Sequence, residues 1–85
     1  MNKAQELVKN KHLIWYTKEY DKLEDASIVE AVLNYGDWED VQELINLLGI
    51  NRVAEIFNKY AFRPRTNYRP EIQNYFKLYF DKYAR

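Results

Sequence analysis

The sequence predicts an all-α fold, a compact bundle of four to five short helices in a single domain spanning residues 1–85. Three observations predict it. Apolar residues recur at three- and four-residue spacing from Ile28 onward. Asn or Asp stands before several of these runs, where a helix wants an N-cap. The only two glycines, Gly36 and Gly49, stand just after two of them, where helices stop.

Taken in order, Asn2 is a cap for a first, peripheral helix from about Lys3 to His12, with Leu7 and Val8 on its apolar face. The stretch "HLIWYTKEYDKL" then breaks the rhythm. Leu13, Ile14, Trp15 and Tyr16 form a continuous apolar run, read as an irregular buried segment with a short strand as the alternative. Asp25 is the expected N-cap of a second helix carrying Ile28, Val29, Val32 and Leu33 and ending at Gly36. Asp37 caps a third, with Glu39 and Asp40 in the first turn, where the helix dipole favours acids. Its face is Trp38, Val41, Leu44, Ile45 and Leu48, and Gly49 stops it. Asn51 is the expected cap of a fourth helix, with Val53, Ile56, Phe57 and Tyr60 inward. Pro64 and Pro70 bound a basic loop over 62–70, and Pro70 opens a last helix. Ile72, Tyr75, Phe76, Tyr79, Phe80 and Tyr83 form an aromatic stripe on it. The expected core comprises Trp15, Val32, Trp38, Leu44, Leu48, Phe57, Phe76 and Phe80. Aromatics, at eight Tyr, four Phe and two Trp, are how so short a chain reaches sufficient buried area.

Function classes narrow by exclusion. With no cysteine and a single histidine, His12, the chain offers neither a disulfide framework nor a thiolate or multi-histidine metal site. His12 reads as a surface or helix-end residue. No apolar run approaches the ~20 residues of a membrane span, and no signal-peptide pattern is present, so a cytoplasmic location is expected. Asp37 with Asp40, and Asp21 with Glu24 and Asp25, are explained by helix starts and lack partners for acid–base chemistry. The expectation is a protein that is no enzyme and needs no cofactor.

The formal net charge is zero, but the charges are segregated. Residues 1–18 hold four Lys against Glu6, residues 19–55 hold ten acids against Lys22 and Arg52, and residues 56–85 hold seven bases against Glu71 and Asp81. Internal pairing between the ends and the middle accounts for this, and so does an oppositely charged partner. Two candidate binding groups follow. Glu39, Asp40 and Glu43 make an acidic face for a basic partner. Arg63, Arg65 and Arg69, with Tyr68 as a stacking group, make a candidate nucleic-acid or anion site.

The run "GDWEDVQELINLLGINRV" resembles a DNA-reading helix-turn-helix around "LGI", but its details argue against one. Ile45 sits where a small residue would let the helices meet, Glu55 falls where a buried residue belongs, and the preceding helix is acidic where phosphate would approach.

The order of the pieces carries a further signal. "LIWYTKEYDKLED", then "SIVEAVLNYGDWEDVQELINLLGINRVAEIF", then "YFKLYF" resembles a family of short prokaryotic helical proteins, with "YGDWED" at Tyr35 to Asp40 as its most specific piece. Members are often encoded beside nucleotidyltransferase-like toxins of the abortive-infection type. The resemblance implies an antitoxin-like protein-interaction module that neutralises a toxin-like partner by occlusion, and it supplies no catalytic residues. The alternative is a small nucleic-acid-binding regulator using the 63–69 loop and the C-terminal helix. Oligomeric state is left open, a homo-oligomer included.

Overall fold

The most apolar helix of the chain lies at the centre of the fold. This computed structural model describes residues 1–84. It places α2 (Asp25–Tyr35) against α1 (Lys3–Asn10), α3 (Trp38–Leu48) and α4 (Ile50–Tyr60), while α5 (Pro70–Tyr83) packs on α4. A single 3-10 turn, Tyr20–Lys22, lies between α1 and α2, and no strand forms among the described residues. The radius of gyration is 12.0 Å, as expected of a close-packed chain of this length.

Local chemistry explains the helix ends. The Asn2 side chain accepts from the Gln5 amide at 2.8 Å while Gln5 Oε1 accepts from the Asn2 amide at 2.9 Å, a reciprocal capping box. Buried Gln5 then donates through Nε2 to the carbonyls of Leu23 and Asp21, which ties the 3-10 turn to α1. The helix stops at Asn10, two residues before the expected end. His12 adopts a left-handed φ of 56°, and the amides of Leu13 and His12 donate back to Val8 and Lys9. This is a Schellman-type end with Val8 and Leu13 as its buried apolar pair.

The following segment turns Leu13 and Ile14 into the core and holds Ile14 through its carbonyl, which accepts from the Tyr20 hydroxyl at 2.9 Å. Trp15 and Tyr16 then turn outward to the surface, 69% and 68% exposed. The expectation of a core Trp15 is thereby corrected. Two successive residues of this non-helical segment, Leu13 and Ile14, enter the core, and the next two point away from it. Trp15 instead sets its ring edge-on to Tyr35 at 5.4 Å.

Two caps shift by a residue or two. Glu24, without a side-chain bond, is the N-cap of α2, and Asp25 lies inside the first turn, 3.8 Å from Arg52. Gly49 precedes α4, so Asn51 lies within the helix it was expected to cap. The two glycines serve different ends. Gly36 has an ordinary backbone, but a Cβ there would sit 2.7 Å from the Val32 carbonyl oxygen and 3.0 Å from Asp40 Cβ. It lets α2 and α3 meet closely. Gly49 has open space around it and a φ of +88°, which an L side chain adopts only under strain. Val32, Leu44, Phe57, Phe76 and Phe80 are all buried, and Leu48 lies half-buried at the margin of the core.

Candidate interaction surfaces

The acidic group does not present three carboxylates. Asp37 caps α3 by accepting from the Asp40 amide at 2.9 Å, and Asp40 Oδ2 accepts from the Asp37 amide at 3.1 Å. Asp40 is 4% exposed and ion-paired to Lys11 Nζ at 3.4 Å. That contact raises the Lys11 pKa and joins the basic N-terminal segment to the acidic middle. Asp40 is therefore corrected from partner contact to structural cap. Glu39 and Glu43 remain exposed, one turn apart on α3.

The basic loop is also partly structural. Asn34, buried near the end of α2, donates through Nδ2 to the Asn67 carbonyl and accepts through Oδ1 from the Arg69 amide, both at 3.2 Å. Arg69 donates to the Asn34 carbonyl, lies 5.5 Å from the centre of the Tyr35 ring and is 3.7 Å from Glu71. Arg63 covers the Tyr60 ring at 4.4 Å, and Arg65 is exposed.

Tyr68 is 4% exposed, edge-on to Phe57 at 5.4 Å. The expected stacking role is therefore corrected: a base has no access to a ring that seals the core. The Tyr68 hydroxyl is buried with no hydrogen-bond partner among the described residues. Burial and, second, the charge of Glu30 push its pKa upward. An unpaired buried hydroxyl costs ~1–3 kcal/mol, so Tyr68→Phe is expected to stabilise the fold by about 1 kcal/mol in urea unfolding. A loss of stability would mean that the hydroxyl has a partner in solution.

A third surface, on α3 and α5, is aromatic. Phe76 and Phe80 take the inner side of α5 against Phe57, at 6.3 and 5.4 Å between ring centres. The outer side carries Tyr75 and Leu78, exposed at 50% and 64%, with Tyr79 half-buried beside them and Tyr83, the last residue of the helix, 54% exposed. Trp38 is corrected from the core to this surface. Its position at the first residue of α3 puts the indole beyond the reach of the core, 47% exposed, where it stands edge-on to Tyr79 at 5.5 Å and Tyr75 at 6.4 Å. Tyr75 stacks parallel to Tyr79, and Tyr79 meets Tyr83 at 4.8 Å. With Lys82 these residues line a groove of about 460 Å³.

Leu78 was not among the residues singled out from sequence, though a signal for it exists. From Leu78 round to Phe80 the apolar residues of α5 cover roughly 200° of the helix at ~100° per residue, about twice what one core contact needs. Part of such a stripe is left facing away from the core. No three His, Cys, Asp or Glu side chains converge as a metal site among the described residues, and no described helix is long and apolar enough to cross a membrane. Compared with family profiles, curated proteins and solved structures, the chain has no match.

Proposed function

We propose that the protein is a non-catalytic interaction module that binds a protein partner through the aromatic face of α3 and α5. The observation that carries this reading is the exposure, on one rigid surface, of Trp38, Tyr75, Leu78 and Tyr83. Contiguous exposed apolar area of this kind marks binding surfaces, and Trp and Tyr are the residues that dominate binding energy.

The sequence resemblance supports a toxin of the nucleotidyltransferase type as the partner, neutralised by occlusion. The "YGDWED" segment has a physical part in such a role. Gly36 permits the close junction, Asp37 and Asp40 lock the start of α3, and Trp38 is thereby held outward. Exposed Glu39 and Glu43 on the same helix suit a basic partner surface.

The test is inhibition of a purified toxin of the nucleotidyltransferase type by this protein. Leu78→Asp should weaken binding by at least about 30-fold, as loss of a central contact does, with the helix content by far-UV circular dichroism unchanged. Undiminished inhibition by this variant would remove the aromatic face from the mechanism. Salt-steep DNA binding lost in an Arg63→Gln, Arg65→Gln variant would favour the nucleic-acid reading instead.

A further inference from the structure

The outer stripe of α5 has a pattern that the binding of an unrelated protein does not require. At spacings of four, three and four residues it reads Glu71, Tyr75, Leu78, Lys82. This is the seam spacing of paired helices. All four lie within about 60° of one another around the helix, and all four are exposed.

The stripe is complementary to its own reverse. Laid antiparallel on a second copy, Glu71 faces Lys82, Tyr75 faces Leu78, Leu78 faces Tyr75 and Lys82 faces Glu71. A parallel arrangement would set acid on acid and base on base. We infer that a second copy of this chain covers the aromatic face in the free protein, α5 against α5 in antiparallel register about a two-fold axis between Tyr75 and Leu78. This rests on reading the face as a protein-docking surface, and it makes the homodimer the resting state that a partner must displace.

Three further observations fit that occupant. The charges at the stripe ends have only loose attachments within the chain: Glu71 is 3.7 Å from Arg69 with its side chain 67% exposed, and Lys82 lies over its neighbour Tyr83. Trp38 sits between Tyr75 and Tyr79, level with the proposed axis. A two-fold there keeps both indoles on one side of the helix pair, where they extend the contact. The area is also adequate. Half-exposed aromatics each offer on the order of 100 Å², so the patch supplies ~500 Å² per copy as the apolar centre of an interface whose usual size is about 800 Å² per partner. Glu71, Asn74 and Lys82 supply polar rim. A contact at the lower end of that range is consistent with a dimer that dissociates at ~10–100 μM.

Sedimentation equilibrium of the full chain tests the register through charge reversal. The wild type should be a concentration-dependent dimer. Glu71→Lys and Lys82→Glu should each weaken it about tenfold, since either change sets like charges together twice about the axis. The double variant Glu71→Lys, Lys82→Glu should return to within about threefold of wild type and regain its salt sensitivity. Far-UV circular dichroism on each variant checks that the helices are kept. A monomer at every concentration, or a dimer indifferent to the single reversals, or one not rescued by the double reversal, would overturn the inference. The two readings fail separately. Toxin inhibition that is sensitive to Leu78→Asp, in a protein that is always a monomer, overturns the dimer alone. A rescued dimer whose Leu78→Asp variant still inhibits fully overturns the hetero-partner reading alone.

Discussion

Phe57→Ala is expected to remove a large share of the stability of the domain. Phe57 is fully buried at the meeting point of α4, α5 and the 62–69 loop, with the rings of Phe62, Tyr68, Phe76 and Phe80 around it at 5.4–6.3 Å. Truncating such a side chain costs ~3–5 kcal/mol through lost transfer energy and the cavity left behind. A domain of this length has only about 4–13 kcal/mol in total. Urea unfolding followed by circular dichroism should show a midpoint shifted strongly toward zero denaturant, or no cooperative transition. A midpoint near wild type would mean that α5 collapses into the space. Trp38→Ala, with its ring half exposed, should cost far less, which reverses the ranking suggested by hydrophobicity alone.

Asn34→Ala should follow in size, at about 1–3 kcal/mol. The side chain is 2% exposed and satisfies two backbone groups of another segment, the Asn67 carbonyl and the Arg69 amide. Alanine removes that partner from both groups, and a lost intramolecular hydrogen bond costs ~0.5–1.5 kcal/mol each. The damage should be concentrated where the loop enters α5. Hydrogen exchange at the Arg69 amide should accelerate well beyond the change seen at Val29. Uniform acceleration, or a cost below about 0.5 kcal/mol, would show that the Arg69 guanidinium bond to the Asn34 carbonyl holds the loop unaided.

The helices were legible where period and punctuation agreed. Around Ile28, Val29, Val32 and Leu33, or Val41 and Leu44, apolar spacing and a following glycine identify both the element and its inner face. Elsewhere sequence reading fell short for definite reasons. Apolarity does not distinguish a core ring from a surface ring, so Trp15 and Trp38 were placed inside. Their exclusion depends on how the segment after Leu13 turns and where α3 begins. The burial of Asp40 and Asn34 was hidden because their partners, Lys11, Asn67 and Arg69, are distant in the chain. Tyr68 was read with its arginine neighbours as one polar loop, whereas its ring closes over Phe57. For the candidate surface, the aromatic stripe was visible in sequence, but which half of it faced outward was set by the packing of α5 on α4.

The position of α5 has a thermodynamic consequence. Its inner rings lie on Phe57, while its outer rings are exposed on the face proposed for docking, so under that proposal one helix serves both the core and an interface. Any species that grips the outer side of the folded chain and ignores the unfolded one draws the folding equilibrium toward the native state by mass action, by about 2.7 kcal/mol at a hundred times its dissociation constant. For a domain this small that is a large share of the whole. The melting temperature is then a property of concentration and company rather than of the chain alone. In a cell, a copy that has lost its companion would be the first to meet the proteases.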